Sequence, residues 1–139
     1  MVHDMKRFDS AEEFLRSIDQ EIADIRSRLG EYLRRVEEAK AKAEMLKKFE
    51  EVLGRLGAKP SMPQTQELTL GELKIIINPT PNQELEALVN VVRDLQNRLN
   101  RLERLKQHLE PLREMAVTGM QIEVLYEDGV PVQVFLRLA

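Results

Sequence analysis

The sequence has no cysteine and no tryptophan, and aromatic residues make up only 4% of its 139 positions. Without cysteine there is no disulfide, no thiolate nucleophile and no Cys-type zinc or iron–sulfur site, a pattern that suits a reducing cytosol. Histidine is nearly absent too. His3 lies in the charged stretch Met1–Ser10, read as a frayed tail, and His108 stands beside Leu109 on a helix, so a structural zinc site is not expected. The serines are Ser10, Ser17, Ser27 and Ser61, none of them in a nucleophile elbow. Gly54–Lys59 only touches on the phosphate-loop pattern: the spacing is wrong, and Pro60 stands where a hydroxyl is needed. Apolar runs are short, as in Ile75-Ile76-Ile77. None approaches the roughly 20 residues that span a bilayer, and Met1–Ser10 lacks the apolar centre of a secretory signal. These absences lead us to expect a cytoplasmic, non-enzymatic protein with no cofactor, no metal and no membrane contact.

What is present is charge and helical periodicity. Charged residues make up 32%, with a net charge of −3, so bulk charge does not mark a polyanion binder. Many carboxylates have a basic partner three or four residues away, such as Glu37–Lys40 and Glu44–Lys48. That spacing belongs to solvated helix faces.

Four blocks follow along one unit, giving an α+β chain. The first is a helix over residues 10–57, capped by Asp9 or Ser10, with Glu13 at capping-box spacing and Gly54 and Gly57 as stop signals. Ile22, Ile25, Leu29, Tyr32, Val36, Ala39, Ala43, Leu46 and Leu53 alternate spacings of three and four, which is a heptad seam. Glu50 breaks it, and Gly30 interrupts the helix at a cost of about 1 kcal/mol. A linker at 58–65 precedes a hairpin at 66–78. Gly71-Glu72 fits a two-residue type II′ turn, which pairs Leu70 with Leu73 and Leu68 with Ile75. Leu68, Leu70, Leu73, Ile75 and Ile77 then share one face, and Ile76 is left on the other.

A second helix, residues 80–117, opens on Thr80-Pro81-Asn82-Gln83, a capping box with proline at the first helical position. Its seam is Leu85, Leu88, Val92, Leu95, Leu99, Leu102 and Leu109, interrupted by Lys106 and kinked near Pro111. A last hairpin, 120–138, turns at Glu127-Asp128-Gly129. A two-residue Asp-Gly loop there would put Ile122, Val124 and Tyr126 on the face opposite Val132, Val134 and Leu136. A three-residue loop with a bulge pairs Tyr126 with Val130 and sets all six together, and is the one expected. The two long helices are expected to form an antiparallel coiled coil, with one hairpin between them and the other after them.

A hairpin with one apolar face is marginal alone in water, so association is expected. The candidate interface is Leu68, Leu70, Leu73, Ile75 and Ile77, with Ile122, Val124, Val132 and Val134 as a second patch. The first seam from Ile22 to Leu53, the segment Leu68–Ile77 and the second seam from Leu85 to Leu109 together resemble the prefoldin family's plan. In that plan an antiparallel coiled coil is joined across strands that build a β-barrel hub. The resemblance covers about residues 10–117 and lies in architecture, not in a sequence motif. It implies an oligomeric holdase or assembly chaperone whose partners are copies or related subunits and unfolded client proteins. A structural adaptor or scaffold subunit is the alternative. A third and least favoured reading is nucleic-acid association, through a second helix rich in Arg93, Arg98, Arg101, Arg104, Lys106 and Arg113. The absence of base-stacking aromatics beside those arginines disfavours it.

Overall fold

The computed structural model describes residues 2–58, 64–114 and 120–138. In chain order the elements are β1 (His3–Phe8), α1 (Ala11–Arg55), β2 (Gln66–Leu70), β3 (Leu73–Ile77), α2 (Pro81–Leu109), a 3-10 turn (Glu110–Glu114), β4 (Gln121–Glu127) and β5 (Val130–Arg137). The chain is thus α+β, with two helices and small antiparallel sheets. It divides into two compact units, Met1–Leu29 with Asp94–Ala139, and Gly30–Arg93.

In the first unit β1, β4 and β5 form an antiparallel sheet with β4 in the middle. The stretch read as a frayed tail is therefore a strand: His3 pairs with Glu127, and the register runs on to Phe8 opposite Ile122. Its start is pinned at the β4–β5 turn. The Val2 amide donates to Asp128 Oδ1 (3.0 Å), and the Asp128 amide donates to the Val2 carbonyl (2.8 Å). One sheet face carries Phe8, Ile122, Val124, Tyr126 and Val134, since paired residues share a face. The Phe8 ring lies 5.3 Å from that of Phe14 on α1. Phe14, Leu15, Ile18, Ile22 and Ile25 are all buried.

The β4–β5 turn differs from the three-residue loop. Glu127 pairs with Val130 across Asp128-Gly129, both of which have positive φ (51° and 80°), as a type I′ turn requires. A bulge follows: Tyr126 pairs with Pro131 but Leu125 with Gln133, which makes Val132 the extra residue. The bulge restores parity, so Val124 faces Val134 and Ile122 faces Leu136. Val132, placed with the apolar set from sequence, is exposed instead.

Helix α1 begins with the capping box. The Glu13 amide donates to Ser10 Oγ (3.1 Å), and Glu13 Oε2 accepts from the Asp9 amide (3.2 Å). Within this unit α1 and α2 run antiparallel, because Arg26 reaches Glu103 (2.8 Å) while Asp19 reaches Lys106 (2.7 Å). Lys106, the break in the second seam, thus has a cross-helix carboxylate. Leu95 and Leu102 are buried, Leu99 half-buried.

In the second unit Val36, Ala39 and Leu88 form a small buried cluster, with Tyr32, Leu85 and Val92 packed around it. Leu46 and Leu53 are only half-buried, as is Leu29 at the end of the first unit's part of α1. Thr80 and Gln83 close the reciprocal cap of α2, at 2.9 and 3.1 Å. The hairpin β2–β3 has the expected register, Leu70 opposite Leu73 and Leu68 opposite Ile75. Gly71 alone in its turn has positive φ (61°), as a type II′ turn requires. The second helix, expected to continue to residue 117, gives way at Glu110 to the 3-10 turn containing Pro111. Positions 115–117 and most of the 58–65 linker lie outside the described residues.

Two packing predictions follow from burial. Leu95→Asp places an unpaired charge at a buried position and should destabilise by several kcal/mol in urea unfolding. Phe14→Ala empties a fully buried ring site and should cost about 3–5 kcal/mol, whereas the exposed Phe135→Ala should change stability far less.

Candidate association surfaces

The expected interface residues separate by unit. Ile122 and Val124 are 1% and 0% exposed within the chain itself, so the sheet and α1 already cover them and they are removed from the interface set. Val134 is half-buried on the same face. The β2–β3 residues behave oppositely. Leu68, Leu70, Leu73 and Ile77 are 40–62% exposed, and Ile75 and Ile76 are half-buried on opposite faces. On the polar face Lys74 reaches Glu67 diagonally across the strands (3.6 Å), since Lys74 is paired with Thr69 and Glu67 with Ile76.

A further surface in the same unit was missed from sequence. Met45, Phe49, Val52 and Leu56, near the end of α1, are all more than half exposed. Their spacings of four, three and four make a second heptad stripe, offset by one position from Leu46 and Leu53. The signal was present in the sequence but shadowed by the neighbouring seam. Beside this stripe an open cleft of about 890 Å³ is lined by Ala43, Leu46, Lys47 and Glu50 from α1 and by Asn78–Asn82 at the entry to α2.

In the first unit the other face of the sheet carries a charge triplet. Glu123 accepts from Arg7 Nε on β1 and from Arg137 Nη2 on β5, each at 3.1 Å. The Arg7 hydrogen bond, ahead of the attraction of both guanidiniums, holds the Glu123 carboxyl below its ordinary 4.5 despite some burial. On the inner face burial pushes the Tyr126 phenol up, partly offset by hydrogen bonding to Ser17, and the Lys6 ammonium lies 5.1 Å from its ring centre. Met5, Phe135 and Leu138 stay exposed.

The arginines of α2 also separate. Arg113, in the 3-10 turn, meets Asp19 and Glu110, and Arg93 Nη2 donates to Asn90 Oδ1 (2.8 Å). Among the described residues no carboxylate lies within 4.0 Å of Arg98, Arg101 or Arg104. Among the described residues there is also no group of three His, Cys, Asp or Glu placed to hold a metal, and no helix long and apolar enough to cross a membrane.

No family model, no curated protein and no solved structure matches this chain.

The Glu123 triplet has a pH signature. A carboxyl whose value is lowered by folding stabilises the fold above its unfolded value, and that contribution is lost as pH falls through the lowered one. The stability difference between the native chain and Glu123→Gln should therefore be largest above pH 4.5 and shrink on the acid side. Melting temperatures measured across that range for both proteins check this, and parallel curves would contradict it.

Proposed function

We propose that this is a non-enzymatic, cytoplasmic association protein that oligomerises through the β2–β3 hairpin. In this reading the paired helices form coiled-coil arms on a prefoldin-like plan, and the assembly holds unfolded clients. The observation that carries the proposal is the exposure of Leu68, Leu70, Leu73 and Ile77 on one face of an isolated two-stranded hairpin. Fully burying a Leu or Ile is worth about 1.5–3 kcal/mol. A handful of such residues from each of two copies, already partly covered, can contribute on the order of 10 kcal/mol. That is comparable to the cost of association, about 4–15 kcal/mol. The balance favours an assembly that forms at micromolar concentration and depends on every residue of the patch. A second copy also satisfies the free backbone edges of β2 and β3, which a flat apolar contact alone would not.

Light scattering tests the assembly. The native chain should have the mass of a dimer or larger at micromolar concentration. Replacing Leu70 and Ile75 by Ser should lower that mass while the helical circular-dichroism signal persists. A monomeric native chain, or an unchanged mass in the double variant, overturns the hub. Suppression of a denatured protein's aggregation by the purified chain supports the holdase role. An intact oligomer without that activity identifies a structural scaffold instead.

A further inference from the structure

A second surface, in the other unit, has the chemistry of a recognition groove. Helix α2 presents Arg101, Arg104, Leu105 and His108 along one side, and Val130 and Pro131 of β5 close the other, enclosing a shallow groove of about 430 Å³. Arg98 continues the row at the β4–β5 turn, where its guanidinium carbon stands 3.8 Å from the place of a Cβ on Gly129. The positions 98, 101, 104–105 and 108 recur at three- and four-residue spacing, so they share one helix face. Arg101, Arg104 and His108 are exposed, Leu105 is half-buried, and Val130 and Pro131 are buried beneath them. The lining therefore combines cations along the rim with an apolar floor. No acidic residue lines it, although carboxylates neutralise the neighbouring Lys106 and Arg113 from Asp19.

We infer that this groove docks an acidic segment of another protein, one whose carboxylates alternate with apolar side chains. Arginine offers a planar fork that matches a carboxylate. The half-buried Leu105 between the arginines takes the apolar side chains between the acids, since Val130 and Pro131 beneath it are already covered. A nucleic acid would meet the cations but has no use for that floor, since its phosphate backbone carries no apolar groups and the groove has no aromatic to stack a base. The two surfaces divide the work: the hairpin joins copies of this chain, and the α2–β5 groove selects a partner by charge. This inference does not depend on the hairpin hub, because the groove lies wholly in the first unit.

The test is fluorescence anisotropy at low salt with a labelled peptide of repeated Glu-Glu-Leu, and the full chain as receptor. Binding is expected, weakening as salt screens the contact. Reversing both rim charges, Arg101→Glu with Arg104→Glu, should lower affinity by about tenfold or more, with melting temperature and helicity retained because both side chains are exposed. Arg16→Glu, an exposed reversal on α1 outside the groove, should leave binding unchanged. A Gln-Gln-Leu peptide should fail to bind, and a Glu-Glu-Ser peptide should bind more weakly than Glu-Glu-Leu. Equal binding by the rim variant, or equal binding of the Ser and Leu peptides, overturns the inference. So does duplex DNA that displaces the peptide and binds more tightly, which would return the arginine face to the nucleic-acid reading.

Discussion

The burial of one apolar stripe along α1 is the constraint on which the structure depends. A helix of 45 residues with mostly polar flanks is held by what covers its apolar side, because propensity alone stabilises little. The cover changes along its length. Phe14, Leu15, Ile18, Ile22 and Ile25 are fully enclosed, with the β1–β4–β5 sheet and α2 both contributing. Val36 and Ala39 are buried with Leu88, Leu85 and Val92 of α2 and with Tyr32 of α1 itself. From Met45 to Leu56 the apolar side chains lie half-covered or open. Each mode of cover follows from which elements are within reach of that part of the helix.

Strand β1 follows from the same constraint. The β4–β5 hairpin alone would leave one edge of β4 unpaired beside a buried apolar face, and a buried unpaired backbone is costly. The residues before α1 fill that edge. The contact is held at one end by the reciprocal Val2–Asp128 hydrogen bonds and at the other by Phe8 against Phe14. Nothing in His3-Asp4-Met5-Lys6-Arg7 requires a strand locally. Its partner lies more than a hundred residues away, so the local pattern carries no sign of it.

Legibility in the sequence tracks how local each cause is. The β2–β3 register was readable because Gly71 and the alternation of Leu68, Leu70, Leu73 and Ile75 agree on one answer. Both helix starts were readable because a capping box is complete within four residues. At the last hairpin, two solutions place Ile122 and Val124 on a common apolar face: a three-residue loop, or a two-residue turn followed by a bulge. The sequence pattern does not separate them, and the Asp128-Gly129 preference for paired positive φ favours the second. The candidate interface was half readable. Apolar character marked both hairpins, but whether a face is covered by its own chain depends on tertiary neighbours. The sheet of Ile122 and Val124 has such neighbours, and the hairpin of Leu68 and Leu70 remains exposed.

The two units therefore leave different needs unmet. The first encloses one face of its sheet, leaves Met5, Phe135 and Leu138 exposed on the surface, and differs from the second in the charge it leaves open: Arg98, Arg101 and Arg104 lack carboxylate partners among the described residues. The second has acids and bases interleaved along its helices, and what it leaves open is apolar surface, on β2–β3 and at the end of α1. Unmet apolar area drives association with little regard to partner identity, since the hydrophobic effect is non-directional. Unmet charge acts through orientation and partner choice more than through raw affinity. In the function proposed, a chain with both on separate units assembles through one surface and discriminates through the other.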